Sequence, residues 1–150
     1  MTESDTPDPE RLRAILERAR VIAVLGAHHQ STRPAFYVPD YLHARGYTIL
    51  PVNPELVGRS LWGQPVVGGL AEVDRPVDLV DVFRRPERLM GHVPELLSMR
   101  PVPPVVWFQL GIRDDRAAAA LRAGGIEVVQ DRCTLADHRR LLGPGHRVGA

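Results

Sequence analysis

Short apolar runs alternate with amphipathic stretches along most of this chain. The first run, Val21-Ile22-Ala23-Val24-Leu25, ends at Gly26. A continuous apolar run of this length that stops at a glycine suits a strand buried on both faces of a parallel sheet. Four more runs have the same character, at 47–52, 79–83, 105–110 and 126–129. Between them the pattern shifts to helical spacing, which predicts helices over 35–45, 86–99 and 114–123. A further helix is expected from Asp8 and Pro9 onward, with Asp8 as N-cap and Pro9 at the first helical position. Leu12, Ile15, Leu16 and Ala19 then share one face. Gly46 and the pair Gly124-Gly125 fall where helix C-caps are expected. Asp114 puts an acid in the first turn of an alanine-rich helix, as the helix dipole favours.

Strand and helix in alternation predict an α/β fold, a Rossmann-like doubly wound five-stranded parallel sheet with helices on both faces. The expected strand order is 3-2-1-4-5. That order makes the first and fourth strands neighbours, with the loops at Gly26 and Gly111 flanking the crevice. Residues 53–78 are too long for an ordinary loop. Within them, 70–73 reads as a helical turn and 62–67 as a short extended piece. The expected organisation is a loose tail over 1–8, one domain over 9–142 and a loose tail over 143–150.

Composition narrows the chemistry. The 150 residues suffice for one domain with one buried core. Nineteen basic residues face eighteen acidic ones, a formal net charge of +1, which gives no reason to expect nucleic acid or an anionic membrane as partner. No apolar run approaches the ~20 residues that span a bilayer, and the polar, acidic start MTESDTPDPE is unlike a signal peptide. Every basic residue is Arg. This removes a lysine Schiff base and a P-loop lysine from consideration and leaves Arg to grip any phosphate. Cys133 is the single cysteine, so no disulfide forms within the chain, and a cytoplasmic location is expected.

In an open α/β sheet, ligands sit beyond the carboxyl ends of the strands. The five expected ends carry Gly26-Ala27-His28-His29-Gln30-Ser31-Thr32-Arg33-Pro34, then Asn53-Pro54, Arg84-Arg85-Pro86, Gly111, and Asp131-Arg132-Cys133-Thr134. Gly26 lets backbone approach a ligand closely. The helix that follows aims its first N–H groups into the same space, a site suited to a pyrophosphate, with Arg33 placed to clamp it. The nicotinamide dinucleotide fingerprint fits poorly. His28 and Ser31 stand at its second and third glycine positions, and Asn53 stands where an acid would hold the ribose.

Taken together, these strings are familiar. Ala23-Val24-Leu25-Gly26-Ala27 with Thr32-Arg33-Pro34-Ala35-Phe36-Tyr37 resembles the opening of the small stand-alone CoA-binding proteins, related to the CoA-binding domain of succinyl-CoA synthetase. Pro51-Val52-Asn53-Pro54 resembles the second-strand motif of that family, and Val80-Asp81-Val82-Phe83-Arg84-Arg85-Pro86 the third. Trp107-Phe108-Gln109-Leu110-Gly111 and Val129-Gln130-Asp131-Arg132-Cys133 resemble the fourth and fifth. The resemblance implies a Rossmann-like fold that binds coenzyme A or an acyl-CoA, with no established catalytic activity. It implies cofactor contacts from Gly26, Ala27, His28, Arg33, Pro34, Asn53, Pro54, Phe83, Arg84, Gln109 and Gly111. Among these, Arg33 would hold phosphate, Asn53 and Pro54 would line the adenosine side, and Phe83 and Arg84 would pack beside the cofactor. The chain departs from the family pattern twice. His28 and Ala35 both stand where the family usually has Ser, which removes two hydroxyls that could bond phosphate. His28 can replace one donor, and its charge then depends on pH.

Other candidates carry less. His28, His29 and His43 lack zinc spacing, and no metal is expected. Cys133, Asp137 and His138 invite a nucleophile reading, but a five-residue step does not share a helix face. A cation beside Cys133 and a helix start after it would lower the thiol pKa. Asp81 is expected to bond backbone or a neighbouring Arg, and Trp62 and Trp107 to belong to core or rim. Two alternatives to a CoA-binding module stand beside it. One is a nucleotide-dependent enzyme, such as an NAD(P)-dependent oxidoreductase or a fragment of an acyl-CoA ligase. The other is a Rossmann-like regulatory domain with another ligand.

Overall fold

The computed structural model describes residues 7–149. The first six residues of the expected N-terminal tail lie outside that range. Asp8 caps helix α1 (Pro9–Arg18), its carboxylate accepting from the Arg11 N–H at 2.8 Å. Five parallel strands follow: β1 (Val21–Leu25), β2 (Thr48–Val52), β5 (Leu79–Val82), β6 (Val105–Phe108) and β7 (Glu127–Val129). A two-residue hairpin, β3 (Ser60–Leu61) and β4 (Gln64–Pro65), interrupts the long connection after β2. The helices between strands are α2 (Pro34–Ala44), α3 (Leu89–Ser98) and α4 (Asp115–Ala123), and α5 (Thr134–Leu141) closes the fold.

The apolar runs fill both faces because alternate residues point to opposite sides. Ala23, Leu25, Val80, Val82, Val106 and Phe108 pack with α3 and α4, through Val93, Leu96, Ala118 and Leu121. Ile22, Val24, Ile49, Leu79 and Trp107 face the other way, onto Leu12 and Leu16 of α1 and Leu42 of α2. Asp81 shares this second face and is fully buried in it.

The doubly wound class stands, but the strand order differs from the expected 3-2-1-4-5. The sheet runs β2-β1-β5-β6-β7. Counting its strands alone, this is 2-1-3-4-5, the other common doubly wound order. The third sheet strand lies on the far side of β1, not beyond β2. Residues 53–78 carry the chain there across the α3 face. Val67 makes a parallel bridge to Val52, while Leu70 and Val77 are buried in that layer. The segment therefore does the work of a crossover helix, with one 3-10 turn at Leu70–Glu72. The expected helix over 86–99 begins instead as a 3-10 turn, Pro86–Arg88.

The expected loose C-terminal tail also needs correction. Val148 is buried and its N–H donates to the Arg45 carbonyl at 2.8 Å. Arg45 Nε donates to the Pro144 carbonyl, and Arg147 to that of Ala44. These contacts fasten residues 143–149 to the end of α2.

Candidate functional site

With this order the strands leave in opposite directions from β1 and β5, so the switch point lies between those two. Gly26 and the pair Phe83-Arg84 flank it, and Gly111 does not. Gly26 has φ +92°, and a Cβ there would overlap the Phe83 carbonyl oxygen. The glycine is needed because the chain's own backbone approaches it, a different reason from the expected approach of a ligand. Arg84 continues the contact: its Cδ lies 3.5 Å from where that Cβ would stand. The Arg84 Nε is shut off from solvent and has no hydrogen-bond partner among the described residues. Buried N–H donors are nearly always paired. Arg84 Nε is thus a buried donor at the switch point for which the described residues supply no acceptor.

The loop over 27–33 is held by bonds that fix its course. Asn53 Nδ2 donates to the Ala27 carbonyl at 2.8 Å, while its Oδ1 accepts from the Glu55 N–H at 2.9 Å. Asn53 thus ties the first two strand-end loops together, and its side chain is occupied in doing so. The His28 N–H donates to the Ala35 carbonyl at 3.2 Å. That carbonyl is free because Pro39, four residues on in α2, has no N–H to give it. His28 Nδ1 accepts from the Gln30 N–H at 3.0 Å, and the His28 and His29 rings stack with centroids 4.9 Å apart. Burial and the nearby Arg33 and His29 push the His28 pKa below its ordinary value, with Glu55 opposing them. Arg33 is the N-cap residue of α2, and its side chain makes no cap bond. It is exposed, as are Pro34 and Pro54.

The other strand ends are built differently. Gln109 is buried, and its Nε2 donates to Asp81 Oδ1 at 2.7 Å and to Thr134 Oγ1 at 2.8 Å. Thr134 in turn donates to Asp81 Oδ2 at 3.0 Å. Burial drives the Asp81 carboxyl up to about 7, against these two donors, which pull it down. Asp81 was expected to pair with backbone or Arg; its partners are Gln109 and Thr134. Arg132 grips the buried Asp137 with two bonds of 2.7 Å, and the Gly111 N–H donates to Asp131 at 2.6 Å.

Cys133 contradicts the expectation of a lowered thiol pKa. Burial raises it and the Asp81 and Asp137 charges add to this, while the Leu135 and Ala136 N–H groups oppose the rise. Arg132, expected to activate the thiol, is spent on Asp137. His138 points elsewhere, its Nδ1 2.9 Å from the Tyr41 hydroxyl. Burial lowers the His138 pKa to about 4.

The fold thus gathers Gly26, Ala27, His28, Arg33, Pro34, Asn53 and Pro54 around the first two loops, with Phe83 and Arg84 across the crevice from Gly26. Gln109 and Gly111 lie beyond β6, bonded within the protein. The free Arg84 Nε was beyond sequence reasoning; Arg84 was expected as packing beside a cofactor. No group of three metal-ligating side chains occurs among the described residues, and no helix among them is long and apolar enough to cross a membrane.

A parallel doubly wound sheet with a polar loop at its switch point defines a Rossmann-like domain. Residues 20–139 match the family model of the CoA binding domain, and the chain belongs to that family. It is 35% identical over 132 residues to the uncharacterized protein YneT of Bacillus subtilis, covering 88% of this chain and 95% of that one. A solved structure from Thermus thermophilus superposes with a TM-score of 0.86 at 49% identity, over 90% of this chain and 99% of its own. A hypothetical protein from Pyrococcus horikoshii OT3 does so with a TM-score of 0.85 at 31% identity, over 95% and 100%.

Proposed function

We propose that this protein is a CoA- or acyl-CoA-binding module that holds the phosphates of the nucleotide at the β1–β5 switch point. The observation that carries the reading is the buried, unpartnered Nε of Arg84 against Gly26. A pyrophosphate oxygen is an acceptor of the right charge for that donor. The start of α2 and the exposed Arg33 add positive potential on the same side. Ala27 and His28 line the first loop, Pro34 and Pro54 border it, and Phe83 offers an apolar surface beside Arg84. Asn53 acts by holding two loops in place. Gln109 and Gly111 stand at the end of β6, where a pantetheine arm laid along the sheet edge would pass. CoA brings an adenine nucleotide and a thiol that carries acyl groups. The reading assigns the chain's own residues to binding and gives them no reaction. A cytoplasmic location follows naturally from a soluble ligand of this kind.

Calorimetric titration with CoA, acetyl-CoA, NAD and NADP tests the reading. CoA or acetyl-CoA is expected to bind and the dinucleotides not. At ~100 times its dissociation constant, CoA should add about 2.7 kcal/mol to stability, since it binds the folded form alone. Tight NAD binding without a CoA signal would replace this reading by that of an oxidoreductase domain.

A further inference from the structure

The loop after β1 holds a histidine whose two nitrogens have unequal duties. Nδ1 of His28 accepts the Gln30 N–H, so the neutral ring carries its proton on Nε2. Protonating the ring would set an Nδ1–H against the Gln30 N–H, two donors face to face. An acceptor placed between them resolves this conflict, and a phosphate oxygen is such an acceptor. The surroundings favour an anion for a second reason. His28 is half-buried, stacked on His29, and lies in the field of Arg33. The opposing charge acting on it is Glu55, from the turn after β2.

We propose that His28 is a proton-linked phosphate ligand: an entering phosphate draws one proton from solvent onto His28 Nδ1 and accepts from both that N–H and the Gln30 N–H. This rests on the CoA reading above and deepens it, because it makes affinity depend on pH. One proton passes from water or buffer to the ring, one internal hydrogen bond breaks, and two bonds to phosphate form. The free ring titrates below the ordinary histidine range because of burial, Arg33 and His29. Phosphate reverses the sign of the local field, so the bound ring titrates higher. Affinity then rises as pH falls through the bound-state value and levels off below the free-state value.

The test follows the His28 ring by NMR titration in the free protein, with CoA and with inorganic pyrophosphate. Calorimetry in buffers of different ionisation enthalpy counts protons, and His28→Asn serves as the variant. Asn keeps an acceptor for the Gln30 N–H but cannot take a proton. The ring is expected to titrate about one unit higher with either ligand. The wild-type advantage over His28→Asn should grow to about tenfold in all as pH falls through the window. The titration of the ligand's own phosphate is common to both proteins and cancels. CoA binding that leaves the ring unmoved, with His28→Asn matching wild type at every pH, overturns the proposal and leaves the CoA reading intact. A ring moved by pyrophosphate in a protein that ignores CoA does the reverse. A ring moved by neither ligand overturns the proposal.

Discussion

Two regions at the carboxyl edge of the same sheet handle their polar groups in opposite ways. Beyond β6 and β7 the polar side chains at the sheet edge are paired within the protein: Gln109 and Thr134 serve Asp81, and Arg132 serves Asp137, while His138 Nε2, a turn further along α5, is buried without a partner. Between β1 and β5, Arg84 keeps a buried donor without a partner, and the Arg33 side chain makes no cap bond. Both regions are rich in polar residues, so composition does not separate them. Saturation of hydrogen bonds does. A closed network fixes the start of α5 relative to the sheet, whereas an open donor has none of its bonding capacity committed to the fold, which is why the proposed phosphate contact falls there.

The largest expected effect comes from closing the crevice itself. Gly26→Ala places a Cβ on the Phe83 carbonyl at a positive φ, and should cost about 3 kcal/mol or more of stability, from backbone strain and overpacking together. Chemical denaturation measures it. Full wild-type stability would show that β1 and β5 can separate at this point.

The next effect belongs to the saturated end. The Asp81 carboxyl titrates at about 7 in the folded protein against 3.8 as its ordinary value. A raised carboxyl favours the protonated, folded form, so its stabilisation is full below about pH 4 and is lost as pH rises through about 7. Asp81→Asn keeps an acceptor for Gln109 and cannot ionise. The variant should lose this slope and gain on the order of 2–4 kcal/mol over wild type at pH 8. Denaturation curves from pH 4 to 8 decide it, and parallel profiles for the two proteins would refute it.

Ligand binding sharpens the contrast. Arg84→Ala should weaken CoA binding by about 1.5–3 kcal/mol, the range for a charged hydrogen bond, while leaving stability intact or improved, since an unpaired buried donor is removed. Unchanged affinity, measured by calorimetry, would take the phosphates away from this crevice. Arg33→Ala should have the smallest effect, under about 1 kcal/mol at moderate salt, because its side chain is exposed and screened. A loss as large as that of Arg84→Ala would make Arg33 the principal phosphate contact, as the sequence resemblance implied.

Local physics wrote much of this fold into the chain. Asp8 and Pro9 start α1 because a carboxylate and a proline meet the needs of the first turn. The five apolar runs are strands because both faces of the sheet are covered. Gly26, Arg33, Asn53 and Arg84 were legible as strand-end residues for the same reason, since the site of a doubly wound sheet lies where its strands stop. The order of the strands was not legible. It depends on residues 53–78 crossing the sheet on one face rather than returning beyond β2, a choice made by the burial of Leu70 and Val77 against other elements. That choice puts Phe83-Arg84, not Gly111, beside Gly26. The duties of Gln109, Thr134 and Cys133 were equally hidden, because their partners lie far away in sequence and burial outweighs neighbouring charge. Sequence by itself determined which residues reach the carboxyl edge of the sheet. Tertiary structure decided which of them bond to one another and that Arg84, at the switch point, keeps a donor free, because hydrogen bonds between distant segments exist only after the strands have taken their order.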